Sequence, residues 1–295
     1  MLEGTLTFSG SQLLLFTVRG LMVGSVYALI ALGFQIIYNT TGIINFAQGE
    51  FVMLAGVVAG WLHDVHHLPL WVAILTALAV ATLAGVMMEW LTIRPAADAS
   101  LLILIIITLG VSIMLKALAS LFWGTDPFFL PDLSKGAVFR LAGVHVEGQY
   151  LVIMGSTVVI MLLLGAFFRY TRTGFAMRAC FFNRPGARLV GIKVRRVSTI
   201  SFGMSALLGG ICGILVTPVL SMNFAQGTML GLKGFCAAIL GGMGNPLGSV
   251  IGGLSIGLLE QLSCWFSSVY RDTLALTIVV VMLILRPQGI LGEGG

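Results

Sequence analysis

Residues Arg169–Arg196 read RYTRTGFAMRACFFNRPGARLVGIKVRR. The stretch holds eight of the sixteen Lys and Arg residues in the chain and no Asp or Glu. Long apolar runs flank it on both sides. Where such runs cross a bilayer, short loops rich in Lys and Arg stay on the cytoplasmic side. This loop therefore sets the orientation of everything around it. It also joins two halves of a single expected domain, about 1–168 and 197–295, that share an identical pentapeptide.

The loop carries folding signals of its own. Thr173 is placed to N-cap a short helix over Gly174–Phe182. Asn183 is placed to cap a second, with Pro185 in its first turn, where a missing N–H does no harm. Gly191 suits a left-handed residue ending that second helix. Phe175, Met177, Phe181 and Phe182 are apolar in a segment expected to face water, and exposed apolar surface calls for a partner. They lie either on the membrane surface or against a cytoplasmic protein.

Composition bounds the rest. The chain is 58% hydrophobic and 9% charged, whereas a soluble domain carries about 25% charged residues. This predicts an all-α, polytopic transmembrane helix bundle with little mass outside the bilayer. A transmembrane barrel is excluded because the apolar runs are continuous rather than alternating. The net charge of +5 does not point to nucleic acid, since half the basic residues sit in one juxtamembrane loop. Cys180, Cys212, Cys236 and Cys264 show no paired spacing, so neither a disulfide framework nor a zinc site is suggested. The first apolar run is too long for a cleavable signal peptide and lacks a clear cleavage site.

Spans are expected at Gly20–Tyr38, with an earlier start near Leu13, and at Leu70–Ile93, Leu101–Trp123, Tyr150–Phe168, Val197–Leu220, Leu247–Val269 and Thr273–Leu285. Phe51–Leu62 is too short to cross alone unless the helix continues back through polar Asn39–Glu50. With the basic loop inside, the 124–149 segment and His63–Pro69 fall outside. Nine spans result if Met229–Met243 crosses, with the N-terminus outside and Arg286 inside; eight result if it is re-entrant.

NFAQG occurs at Asn45–Gly49 and again at Asn223–Gly227. Each copy follows a long span and precedes a Gly-rich apolar segment. In the nine-span arrangement the copies sit in oppositely directed segments, forming an inverted repeat. Inverted repeats with polar, broken helices near the midplane are a recurring transporter design. Asn45, Gln48, Glu50, Asn223 and Gln226 are thus candidates either for a polar solute pathway or for satisfying broken backbone between packed helices. Glu260 lies mid-span, where an ionisable group is expensive and functional by default, and Lys233 is its nearest basic candidate. Gly248–Gly252, Gly253–Gly257, Gly56–Gly60 and Gly209–Gly213 are close-packing signals. His63, Asp64, His66 and His67 cluster in one loop, and a solvated loop explains them better than a metal site. There is no HExxH, GxSxG or Walker A pattern. No cofactor is expected on this chain, and any ATP hydrolysis must come from another one.

Four places carry a family likeness. GLMVGSVYALIALGFQIIY with GIINFAQGEF (Gly20–Phe51), the TGFAMRA…N…A…GI pattern (Thr173–Ile192), GLKGFCAAILGGMGNPLGSVIGGLSIGLLE (Gly231–Glu260) and RPQGILG (Arg286–Gly292) occur in order. Together the chain resembles the permease subunits of branched-chain amino acid (Liv-type) ABC importers, over nearly its whole length. The resemblance implies a permease in the bacterial cytoplasmic (inner) membrane. The partners it implies are a second permease subunit, identical or homologous, two ABC ATPase subunits, and a periplasmic or extracellular substrate-binding protein. It makes the basic loop the coupling segment, with Gly174, Arg178, Ala179, Asn183, Ala187 and Gly191 matching the family pattern. The chain departs from the family at Arg184, Pro185 and Gly186, where an acidic residue followed by Ala is common. Related permeases carry urea, short amides or other amino acids, so the solute stays open. A stand-alone secondary transporter would need a coupling-ion site, and an intramembrane enzyme a nucleophile–base or metal set; neither is visible.

Overall fold

The computed structural model describes residues 10–97, 99–141, 144–264, 273, 277, 280, 281, 284 and 288–291. The helices are α1 (Gly10–Thr41), α2 (Gln48–Asp64), α3 (Leu70–Met88), α4 (Leu101–Trp123), α5 (Gly148–Tyr170), α6 (Arg172–Phe182), α7 (Arg184–Leu189), α8 (Val194–Leu220), α9 (Gln226–Gly241) and α10 (Pro246–Ser263). A π-helical turn, Glu89–Ile93, extends α3. Most of the expected final span, Arg286, and the far end of Leu247–Val269 lie outside the described residues. Five helices are long and apolar enough to cross a membrane: Gln12–Thr41, Leu70–Ile93, Leu101–Trp123, Gly148–Tyr170 and Val194–Leu220.

These five are not equivalent. The most apolar windows of α1 and α8 are 89% and 72% buried, against 22%, 22% and 11% for the third, fourth and fifth helices. α3–α5 therefore present bare apolar side chains outward, among them Trp71, Leu75, Ile106, Ile113, Leu162 and Leu163. A helix this apolar all round is stable only in lipid or protein. On its inner face α3 buries a stripe of Ala73, Ala77, Ala81 and Gly85. Gly85 lies against Phe202 and Ala206 of α8.

The centre is held by backbone-to-backbone contact, which needs residues without side chains. α10 meets α1 where Gly253 faces Ala28 and Gly257 faces Gly24. Gly248 and Gly252 of α10 face Gly241 and Ala237 of α9. Gly209 and Gly213 of α8 face Phe51 and Val52 of α2. Every small-residue pair singled out in the sequence sits in a helix crossing, except that Gly60 packs on Phe128 of the long 124–147 connection.

The bundle is all-α as expected, and that connection adds one short hairpin to it. Val138–Leu141 (β1) and Val144–Glu147 (β2) form an antiparallel hairpin, and the alternating branched residues VFRL and VHVE suit it. The segment closes one end of the bundle: Phe128 bridges to Met222, and the Phe129 N–H donates to Asp64 Oδ2 at 3.1 Å. His63 of the histidine cluster meets the Leu68 carbonyl through Nδ1 at 3.0 Å. Among the described residues, no group of three His, Cys, Asp or Glu could hold a metal ion. The opposite end carries the basic segment, the C-terminal end of α1 and the Gly242–Asn245 turn.

Candidate functional site

The two pentapeptides fold alike. Asn45 Oδ1 accepts from the Ala47 N–H at 3.0 Å, and Asn223 Oδ1 from the Ala225 N–H at 3.0 Å. Each Asn thus folds its side chain back to build an Asx turn. Each turn ends the break, and a helix starts on the Gln that follows, Gln48 for α2 and Gln226 for α9. The last residues of the two motifs then meet: a side chain on Gly49 would strike the Gly227 carbonyl, and one on Gly227 would come 2.8 Å from the Gly49 carbonyl. Only glycine allows that mutual approach.

Next to Gly49 stands Glu50; next to Gly227 stands Thr228. These equivalent positions bond to one another, Thr228 Oγ1 donating to Glu50 Oε1 at 2.9 Å. Ser112 of α4 donates to the same oxygen at 3.0 Å. Glu50 Oε2, Asn45 Nδ2 and Gln226 Oε1 are buried without a hydrogen-bond partner. Asn45 and Glu50 are themselves wholly buried, whereas Asn223 and Gln226 are partly exposed and Thr228 is exposed. Gln48 does something different from its twin. It is clamped in the crossing of α1 and α8, donating to the Ser205 carbonyl at 3.1 Å and accepting from Ser205 Oγ at 2.5 Å, hard against Gly33.

A second polar cluster ties α9 and α10 to α1. Lys233 Nζ lies 3.0 Å from Glu260 Oε2, and the Tyr27 hydroxyl donates to the same oxygen at 2.7 Å. The ammonium also sits 5.5 Å from the centre of the Tyr27 ring. All three residues are buried. The pairing open in the sequence is thus made, as a buried ion pair within helix packing.

The basic segment folds as two short capped helices. Its first cap is Thr171, whose Oγ1 accepts from the Gly174 N–H at 3.0 Å, rather than Thr173, which lies inside α6. Thr171 has the extended backbone a cap needs (φ −101°, ψ 146°). Asn183 caps α7 as expected, Oδ1 accepting from the Gly186 N–H at 2.9 Å. At the far end the Ile192 N–H reaches the Ala187 carbonyl and the Gly191 N–H the Arg188 carbonyl, with Gly191 at φ +85°. That is a complete Schellman motif. Gly174 is pressed on the backbone of Phe167 and Phe168, while Ala179 and Ala187 pack in a small core with Met177, Cys180 and Val197. Arg178 is exposed and stacks over Phe175, 4.8 Å from the ring centre. Phe182, Leu189 and Val190 of the same segment are exposed as well. Burial pushes the Cys180 thiol above its ordinary pKa and holds the Arg184 guanidinium below its own.

The family described as branched-chain amino acid transport system / permease component matches over residues 16–285. The chain belongs to that family. The high-affinity branched-chain amino acid transport system permease protein LivH of Escherichia coli K12 is 33% identical, covering 93% of this chain and 94% of its own. BraD of Pseudomonas aeruginosa, with the same description, is 32% identical over 94% of each. The probable LivH of Methanocaldococcus jannaschii is 27% identical over 92% and 90%. No solved structure matches. Family membership together with the apolar outer helices makes this permease a multi-pass membrane protein.

Several residues of the permease's polar interior escaped the sequence reading. Thr228 was findable, because aligning NFAQGE with NFAQGT sets it opposite Glu50. Tyr27, Ser112 and Ser205 are three among several hydroxyls scattered along long apolar helices, and nothing in the sequence sets them apart. Gln35 and Asn39 are spaced one helical turn apart in α1, and both bond the Gly242–Asn245 turn.

Proposed function

We propose that this chain is the membrane-spanning subunit of an ATP-driven importer for branched-chain or related amino acids. It crosses the bacterial cytoplasmic membrane nine times with its N-terminus outside. It works with a second permease subunit, two ABC ATPases on the α6–α7 side and a binding protein on the hairpin side. Residues 1–168 and 197–295 are the two halves of one domain, related as an inverted repeat. Solute passes where the broken helices α2 and α9 begin, along Asn45, Glu50, Asn223 and Gln226. Gln48 and the Lys233–Glu260 pair hold the walls of that passage. Gly174, Arg178, Ala179, Asn183, Ala187 and Gly191 shape the ATPase-docking segment.

One observation carries this reading. Identical pentapeptides make the same turn, meet through Gly49 and Gly227, and leave three buried polar atoms without partners there. Unpaired polar atoms inside an apolar bundle are costly, and intramembrane ionisable groups mark pathways. The relatives' names support the cargo, and the excess of Lys and Arg supports a cytoplasmic place for α6–α7. The test is purification of the tagged chain from its native operon, followed by uptake in proteoliposomes. Co-purifying ATPase subunits and ATP-dependent leucine uptake are expected. Uptake driven by an ion gradient, with no ATPase bound, would refute the proposal.

A further inference from the structure

Besides its packing on α5 and α8, the bend between α6 and α7 reaches two chain turns that lie next to the broken helices. The first is at the end of α1. Arg184 donates from Nε and Nη2 to the Thr40 carbonyl, at 3.2 and 3.0 Å. Carbonyls in the last turn of a helix have no partner within it, and a cation there also meets the negative end of the dipole. Two residues on, Gly42 turns the chain at φ +67° into the first pentapeptide. The second contact is Phe181, whose ring edge lies 3.3 Å from where a Gly244 side chain would begin. Gly242 and Gly244, at φ +105° and +104°, form the turn joining α9, which starts at the second pentapeptide, to α10. α1 binds the same turn. Gln35 donates to the Gly242 carbonyl at 3.1 Å and accepts from the Gly244 N–H at 2.8 Å, and Asn39 donates to the Gly244 carbonyl at 3.1 Å.

The parts are suited to transmitting a push. Both short helices are capped, so the bend moves as a unit rather than unwinding. A cleft of about 420 Å³ lies between the bend and the end of α1, lined by Tyr38, Thr41, Cys180, Phe182 and Pro185 among others. The Asn39 Oδ1 is buried and unpartnered, an acceptor left over for a shifted donor. The bend can therefore move against α1 without first unpacking a filled core.

We infer that the α6–α7 bend drives both broken helices at once, Arg184 acting as the positioning residue for the first turn and Phe181 for the second. The inference rests on the reading of α6–α7 as the ATPase-docking segment and adds where the motion goes inside this chain. The test uses the whole importer in proteoliposomes with liganded binding protein, and measures leucine taken up per ATP hydrolysed. In Arg184→Met and in Phe181→Ala, stimulated hydrolysis should persist at normal assembly. Uptake per ATP should fall about tenfold or more in Arg184→Met, the effect of losing one charge-assisted hydrogen bond on a two-state equilibrium, and should fall in Phe181→Ala as well. Arg184→Lys, which keeps one donor and the charge, should recover part of the ratio; it also serves if the Met variant does not assemble. An unchanged ratio in both variants overturns the inference. So does a parallel loss of hydrolysis and uptake, which would make Arg184 a helix cap and nothing more. A wild-type chain that brings down no ATPase overturns the docking reading first, and the bend's role with it.

Discussion

Replacing Gly49 with Ala tests whether the two pentapeptides meet. The new methyl carbon would stand 2.7 Å from the Gly231 Cα and 2.8 Å from its nitrogen, and would strike the Gly227 carbonyl. Ordinary contact begins at 3.4 Å, and all three neighbours are backbone atoms that cannot rotate away. α2 and α9 must therefore part by about 0.7 Å or more. Overpacking of this kind costs about 1–3 kcal/mol. The separation also strains the Thr228–Glu50 bond, and a hydrogen bond to a charged group is worth about 1.5–3 kcal/mol. A loss between about 2.5 and 6 kcal/mol follows, which lowers the melting temperature in detergent by about 5 °C or more. Gly165→Ala is the matched control: α5 leaves open space there, so the same added methyl is neutral or stabilises by up to about 1 kcal/mol. The assay is thermal denaturation of both variants beside the wild type, with leucine uptake on the same preparations. Should Gly49→Ala melt with the wild type while Gly165→Ala behaves as stated, the helices do not approach at Gly49 and Gly227, and the central junction is wrong.

Two further outcomes are expected. Lys233→Met or Glu260→Gln alone breaks a buried ion pair and should destabilise by about 3–5 kcal/mol, whereas the double replacement by Met and Leu should recover part of the loss; strictly additive losses in detergent melts would show that the two side chains do not interact. A single cysteine introduced at exposed Arg172 should be labelled by an impermeant maleimide only from the cytoplasmic face and one at Asp132 only from the other, while native Cys180, buried and with its thiol pKa raised, stays unlabelled until the protein is denatured; labelling of Arg172 and Asp132 from one side would refute the topology.

Much of the architecture was legible because lipid simplifies the code. A span must be apolar along its whole length, so α3 and α4 were bounded almost to the residue, as Leu70–Ile93 and Leu101–Trp123. Caps are local chemistry, so Asn183, Pro185 and Gly191 were readable one by one. The Thr171 cap was misplaced to Thr173 because two threonines two residues apart offer the same hydroxyl, and only the backbone angles choose between them. The hairpin at 138–147 was missed because eight residues of alternating pattern give a weak signal beside runs of twenty.

The sequence by itself determined that the chain is a membrane permease of a known kind, where its helices run, and which polar residues stand where lipid cannot tolerate them. The kind of permease came from the likeness of four motif stretches to a known family; the helices and the misplaced polar residues are properties of composition, length and local turn chemistry. The tertiary structure alone decided which polar residues face which. Gln48 and Gln226 occupy the same place in the same pentapeptide, yet one is locked to Ser205 and the other keeps a carbonyl oxygen unpaired. Glu260 finds Lys233 across a helix pair, and Glu50 finds Thr228 across the meeting of the two repeats. The physical reason is that these partners lie far apart in sequence, and their meeting depends on which glycines let which backbones touch.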